Sequence, residues 1–77
     1  MADDPLGIVV RLNERHPLVK QLKRRFGFHE VDDLFTLAFE QRIRGVQMMN
    51  SLRTHGQLDR ATLKALGVHV DGEPHGL

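Results

Sequence analysis

The chain has 77 residues, a formal net charge of +1 and no cysteine. A domain of this length buries only about 60% of its unfolded surface, and no disulfide or thiolate metal site can compensate for the small core. The near-neutral charge excludes a dedicated nucleic-acid binder, and no apolar run approaches the roughly 20 residues that a membrane helix needs.

The N-terminal segment, residues 1–16, is predicted to be an arm outside the helical domain. Its first residues are acidic and lead into a short apolar run, so they do not form a secretory signal. Residues 8–12 are rich in β-branched side chains and predict a short extended segment.

The first helix is predicted over residues 17–26. Pro17 suits the first helical turn, and Gly27 suits a left-handed stop. One apolar stripe is formed by Leu18, Val19, Leu22 and Phe26. The opposite, solvent-exposed side is expected to carry Lys20, Lys23 and Arg24.

The central helix is predicted over residues 37–52, after a loop in which Phe35 is buried. Thr36 is the expected N-cap, and Glu40 places negative charge in the first turn, where it suits the helix dipole. The apolar face is wide, comprising Phe39, Ile43 and Val46 with Ala38, Met49 and Leu52 beside them. Such a face predicts a helix that is covered on two sides, as the middle helix of three would be.

The third helix is predicted over residues 60–66, with Asp59 as its N-cap and Gly67 at its end. Residues 68–71 alternate like a strand and could pair with residues 8–12, whereas residues 69–77 form a tail. We therefore predict an all-α fold, a compact three-helix domain over residues 17–68 with short extended arms. Its core is expected to bury Phe35, Phe39, Ile43, Leu58 and Leu66 together.

Two parts of the chain share one spacing. The first cassette, residues 31–47, overlays on the second cassette, residues 54–66, with an offset of 23 residues. The overlay predicts a turn at Gly56 that a β-carbon disfavours, and a similar left-handed turn at Asp33. The equivalent pairs are Asp33 and Gly56, Phe35 and Leu58, Ala38 and Ala61, Phe39 and Thr62, and Ile43 and Leu66.

The cassettes carry a resemblance to a known family over about residues 17–68. The matching residues are the segment VKQLKRRFG at 19–27, then Val31, Asp32, Phe35, Ile43, Arg44 and Gln47, then Gly56, Ala61, Thr62, Ala65, Leu66 and Gly67. This pattern resembles the peptidoglycan-binding domain, a three-helix module of cell-wall hydrolases and phage lysins. The family's turn residues are replaced here by Asp33, Thr36, Leu37 and Phe39, and by His55, Asp59, Arg60 and Leu63. The resemblance implies a non-catalytic module that binds the bacterial cell wall.

Enzymatic machinery is not evident in the sequence. Ser51 is the only serine and has no general base at helical spacing, while Asp32 and Asp33 are adjacent and need not converge. The five histidines include neither an HExxH motif nor a pair four residues apart on a helix. We expect no enzyme activity, no metal and no cofactor.

Basic residues on the first two helices are the clearest candidate contacts. Lys20, Lys23, Arg24 and Arg25, with Arg42 and Arg44, could meet an anionic polymer, wall carboxylates or an acidic protein surface, or simply be solvated. No tryptophan or tyrosine offers a flat platform for a sugar ring.

Two functions follow from these observations. The first is a binding module that docks on the cell wall or on a larger assembly. The alternative is a small virion structural protein of a phage, as a capsid decoration, minor capsid or tail component, which docks on proteins through its arms and acts in a multimeric assembly. With no signal sequence, the expected location is the virion, or the cytoplasm until lysis. The candidate binding residues are Ile8, Val9, Val10, Lys20, Arg24, His55, Val68 and Val70.

Neither function requires a specific nucleic acid or a membrane. Residues 56–68 resemble the first half of a helix-turn-helix, but Gly72 and Pro74 interrupt the place of a recognition helix.

We expect that deleting residues 1–10 or 70–77 leaves the helical core folded and abolishes association with the partner.

Overall fold

The computed structural model describes residues 7–68, and its fold is mixed α/β. Within these residues three helices accompany one two-stranded antiparallel sheet, so the prediction of an all-α fold is wrong. The order along the chain is β1 (Ile8–Val10), α1 (Pro17–Phe26), α2 (Leu37–Met49), β2 (Leu58–Asp59) and α3 (Arg60–Ala65). The three predicted helices are present, although α2 ends at Met49 and not at residue 52.

The sheet joins the N-terminal segment to the second cassette. Ile8 pairs with Asp59 and Val10 pairs with Leu58, and the amide of Arg60 donates to the carbonyl of Gly7 at 3.0 Å. Residues 8–10 therefore pair with β2. The predicted pairing with residues 68–71 is not tested, because 69–71 lie outside the described residues. Val10 is only 1% exposed. Deleting residues 1–10 would remove Val10 from the core and all of β1 from the sheet, which counts against our expectation that the helical core survives that deletion.

The same N-terminal segment also contacts the first cassette. The amide of Asn13 donates to the carbonyl of Phe35 at 2.8 Å, and the amide of Phe35 donates to the carbonyl of Glu14 at 2.8 Å. The amide of His16 donates to the carbonyl of Asp33 at 2.9 Å. One segment, residues 7–16, thus binds the backbone of both cassettes before α1 begins, and it turns at Leu12 and Asn13 between the two contacts.

The core lies between these elements and contains most of the predicted residues. Phe35, Phe39, Ile43 and Leu58 are fully buried, as predicted, whereas Leu66 is only half-buried at the edge of the core. The rings of Phe35 and Phe39 meet edge to face, with centroids 4.9 Å apart. The remaining buried apolar residues are Val10, Leu18, Val19, Leu22 and Leu63.

Side chains cap the helices as the sequence predicts. The hydroxyl of Thr36 accepts from the amide of Phe39 at 3.3 Å, and the carboxylate of Asp59 accepts from the amide of Thr62 at 2.7 Å. Gly27 ends α1 with φ +80°. The N-cap of α1 was not predicted: it is His16, whose Nδ1 accepts from the amide of Leu18 at 3.1 Å.

Lys23 corrects the predicted polar side of α1. Its side chain is buried, with a residue exposure of 2%, whereas Lys20 and Arg24 are exposed as predicted. The apolar stem of Lys23 lies in the protein while its Nζ donates to Oδ1 of Asp32 at 2.5 Å. This hydrogen bond to Lys23 is the main cause that lowers the pKa of the Asp32 carboxyl below its usual value.

Candidate binding surfaces

A buried polar network holds the second turn against α2. The Gln47 side chain is fully buried, and its Nε2 donates to the carbonyl of Gln57 at 2.8 Å and to the hydroxyl of Thr62 at 3.0 Å. Its Oε1 accepts from the amide of Gly56 at 2.9 Å. These three contacts use both N–H donors of the amide and one of the two lone pairs of its oxygen, so Gln47 has a structural role. The sequence pattern alone gave no signal that this glutamine is buried.

His55 belongs to the same network. Its Nδ1 accepts from the amide of Gln57 at 3.0 Å, which leaves Nε2 as the protonated nitrogen that donates to Oδ2 of Asp59 at 2.8 Å. Oδ1 of Asp59 accepts from the hydroxyl of Thr62. The carboxylate therefore separates the imidazole from the hydroxyl, and Thr62 is fully buried. A nucleophile activated by histidine requires contact between those two groups, so this arrangement stabilises the turn and does not prepare catalysis.

The predicted binding residues do not converge on one site. Val10 is buried, Ile8 and Val9 are half-buried in β1, and Val68 is half-buried against the core. Both ring nitrogens of His55 bind the protein itself. Val70 lies outside the described residues. Lys20 and Arg24 are the two predicted contacts that remain fully available on the surface, four residues apart on α1.

The described residues are much more basic than the whole chain. All eleven Lys and Arg residues lie between 7 and 68, but only six of the ten Asp and Glu residues do, so this part carries a formal net charge of +5. Three of its cations form ion pairs with carboxylates, namely Arg15 with Asp33, Lys23 with Asp32 and Arg44 with Glu40. Six others have no carboxylate partner among the described residues: Lys20, Arg24, Arg25, Arg42, Arg53 and Lys64.

Most of these six cations are close to the ends of α1 and α3. Arg24 and Arg25 lie in the last turn of α1, and Lys64 lies in the last turn of α3. The two ends meet, because the guanidinium of Arg25 donates to the carbonyl of Leu66 at 2.5 Å. The guanidinium of Arg42 lies 4.9 Å from the ring centroid of Phe26, the last residue of α1. Lys20 lies one turn before Arg24 on the exposed side of α1. We refer to Lys20, Arg24, Arg25, Arg42 and Lys64 together as the basic patch.

The outer face of α2 is a second exposed surface. At 3.6 residues per turn, six exposed residues fall within an arc of about 120° that is opposite the buried face and contains no charge. Leu37, Met48 and Met49 are 60%, 69% and 87% exposed. We call this arc the α2 stripe; its residues are Leu37, Ala38, Gln41, Gly45, Met48 and Met49. The prediction that α2 is covered on two sides is therefore wrong for the described residues.

Other kinds of site are not found in the part of the chain that the structure describes. Within residues 7–68 no three His, Asp or Glu side chains are arranged to hold a metal ion. None of the helices between residues 7 and 68 has the length and apolar character needed to cross a membrane. Each buried side-chain nitrogen or oxygen in this range has a hydrogen-bond partner.

Comparison of the chain with models of known protein families, with curated proteins and with solved structures finds no significant match. Interpretation of the two exposed surfaces therefore depends on the chemistry of their residues.

Proposed function

We propose that this chain is a non-catalytic docking module that binds an anionic partner through the basic patch, and that the partner is a polymer of the bacterial cell wall. The observation that supports the proposal most directly is the excess of cations without carboxylate partners on a domain whose buried polar groups are all used in folding. A cluster of positive charges on a protein surface attracts anions and raises the rate at which an anionic partner binds.

The chemistry of the cell wall matches this surface. Peptide stems of peptidoglycan carry carboxylates, and arginine binds carboxylates with paired N–H donors. A sugar ring would favour an aromatic face, and the chain has neither tryptophan nor tyrosine, so charge is the expected source of affinity. The resemblance of the two cassettes to the peptidoglycan-binding domain adds support to this choice of partner.

The experiment is sedimentation of the purified chain with purified sacculi at increasing salt. We expect binding that weakens as salt rises, since exposed charges are screened beyond about 8 Å at physiological ionic strength. The double variant Lys20→Glu/Arg24→Glu should lose most of this binding.

A control for charge alone is available in the same chain. Arg53 is exposed and unpaired but follows α2, outside the basic patch. The variant Arg53→Glu/Ser51→Glu lowers the net charge by three, against four for the double patch variant, and should retain most of the binding. Equal losses in the two variants would show that net charge, and not the patch, attracts the polymer. Salt-independent binding would contradict the proposal.

A second candidate function is a structural component of a phage virion that docks on other proteins. The exposed α2 stripe favours it, because uncharged exposed helix faces are typical of protein contacts. Native mass measurement of the source particle tests it directly. A particle that contains the chain in a fixed copy number would favour this candidate over the cell wall.

A further inference from the structure

We propose that the acidic tail, residues 69–77, competes with the anionic partner for the basic patch and so regulates binding from within the same chain. The inference rests on the proposed function, because it concerns the same patch. It begins with the distribution of charge along the sequence. All eleven lysines and arginines lie within residues 7–68, whereas four of the ten acidic residues lie outside that range: Asp3, Asp4, Asp71 and Glu73. A domain of formal net charge +5 is thus flanked by two segments that each carry two acidic side chains and neither lysine nor arginine.

The acidic tail begins beside the basic patch. The amide of Val68, the residue before the tail, donates to the carbonyl of Leu63 at 2.9 Å. Two residues earlier, the carbonyl of Leu66 accepts from the guanidinium of Arg25 at 2.5 Å. These hydrogen bonds fix the start of the tail next to the last turns of α1 and α3, where Arg25 and Lys64 lie.

The acidic side chains of the tail are near enough along the chain to reach the patch. A residue spans at most about 3.6 Å, so the α-carbons of Asp71 and Glu73 lie within about 11 and 18 Å of that of Val68. By comparison, the ten residues of α1 extend over only about 15 Å. Two groups joined by a short linker meet at an effective concentration in the millimolar range. The tail therefore meets the patch more often than a dilute external anion does.

The patch has cations for these carboxylates to contact. Lys20, Arg24 and Lys64 are exposed and have no carboxylate partner between residues 7 and 68. Arginine binds carboxylates with paired N–H donors, but exposed ion pairs are individually weak. The tail should therefore reduce binding severalfold without blocking it. For a partner that binds the patch, this direction is opposite to our expectation that deleting residues 70–77 abolishes association.

The other acidic segment provides a matched control. Residues 1–6 also carry two carboxylates, but they join the fold at Gly7, whose carbonyl accepts from the amide of Arg60 at 3.0 Å. Arg60 is the first residue of α3, so this segment meets the helix at the end opposite to Lys64. The two segments are equal in acidic charge and differ in position. The proposal therefore predicts unequal effects from two changes of equal charge.

Fluorescence anisotropy with labelled poly-L-glutamate tests the competition, because this probe carries carboxylates and no other group of the cell wall. The tail variant of the full chain, Asp71→Asn/Glu73→Gln, should bind about three- to tenfold more tightly at low salt, and the gain should fall below about twofold at high salt. The N-terminal variant, Asp3→Asn/Asp4→Asn, also raises the formal net charge from +1 to +3 and should gain less than about twofold at low salt. Equal gains in the two variants, or no gain in the tail variant, would overturn the proposal.

Nuclear magnetic resonance of the chain without any partner separates this proposal from the proposed function. At low salt the tail variant should shift the guanidinium Nε–H signals of Arg24 and Arg25 relative to wild type, and the N-terminal variant should leave them in place. Unchanged signals in the tail variant would overturn the proposal even if the chain sediments with sacculi. Shifted signals in a chain that does not sediment with sacculi would support contact between the tail and the patch and contradict the choice of the cell wall as partner.

Discussion

The two cassettes share a framework and differ in their turns. Both place a fully buried apolar residue, Phe35 or Leu58, directly before the N-cap of a helix, Thr36 or Asp59. The first turn is fixed by ion pairs with exposed carboxylates, whereas the second is buried beneath α2 and fixed by Gln47. The comparison shows that the repeated spacing specifies where each helix starts and which residue is buried before it. The elements that pack against each turn determine whether ion pairs or buried hydrogen bonds hold that turn.

The largest expected effect tests the equivalence of the cassettes in the core. Ile43 is fully buried, whereas its counterpart Leu66 lies at the edge of the core. Replacing Ile43 by Ala should lower the free energy of unfolding by about 2–5 kcal/mol, because a cavity adds to the lost burial. Leu66→Ala should cost about half as much, since its side chain is partly hydrated already. Urea unfolding followed by circular dichroism measures both, and equal losses would contradict the difference in burial.

The next effect concerns the turns themselves. Gly56 has φ +84°, and a β-carbon there would lie 2.7 Å from Cγ of Glu40, so Gly56→Val should cost about 2–4 kcal/mol. Asp33 was expected to share the left-handed conformation, but among the described non-glycine residues only Asn13 and Ser51 have positive φ. Asp33→Gly should therefore cost less than about 1.5 kcal/mol, from chain entropy and an exposed ion pair. Thermal melts in which the order is reversed would refute the assignment of the buried turn.

A smaller effect separates the two N-caps. Thr36→Ala removes one hydrogen bond from the start of α2 and should cost about 1 kcal/mol. Asp59→Ala should cost more, about 2–3 kcal/mol, because it also removes the acceptor for His55 and for the buried hydroxyl of Thr62. Asp59→Ser, which keeps a cap but cannot reach His55, should fall between wild type and Asp59→Ala. Equal costs at Thr36 and Asp59 would show that the network adds nothing to capping.

The smallest effect depends on pH and belongs to the first turn. The hydrogen bond from Lys23 lowers the pKa of Asp32, so the folded state favours the ionised carboxylate. This contribution to stability is present above the unfolded pKa of about 3.9 and is lost as pH falls through the lower folded pKa. The stability difference between wild type and Asp32→Asn should therefore be larger at pH 6 than at pH 3. Parallel unfolding curves that keep the same separation at both pH values would contradict this linkage.

Local patterns made the helices and caps predictable. Pro17, Thr36, Asp59 and Gly27 act within a few residues of their own positions, and each performs the predicted role. The sheet was not predictable in the same way, because β2 is two residues long and has no alternation of its own. Its pairing with Ile8–Val10 depends on contacts across the fold, so the all-α prediction failed where the chain pairs over long distances.

The surfaces were predictable only in part. Lys20 and Arg24 are exposed as their helical spacing predicts, but the same spacing placed Lys23 with them and gave no sign that Asp32 would allow its burial. The sequence shows a wide apolar face on α2, and we predicted that other elements cover it on two sides. Ala38 and Met49, which belong to that face, are exposed. Whether a face is covered depends on the number of neighbouring elements, which periodicity along one helix does not contain.

The pairing of β1 with β2 also determines the order in which the chain can fold during synthesis. The amide of Leu12 donates to the side chain of Gln57, 45 residues further along. The backbone hydrogen bonds of α1 and α2 are local, so these helices can begin to form before β2 has been made, but helices of 10 and 13 residues need packing to become stable. Val10 has no strand to pair with until Leu58 emerges, and closing a loop of that length costs entropy before any contact repays it. The nascent chain therefore exposes part of its apolar core until Leu58 and the residues of α3 have been made.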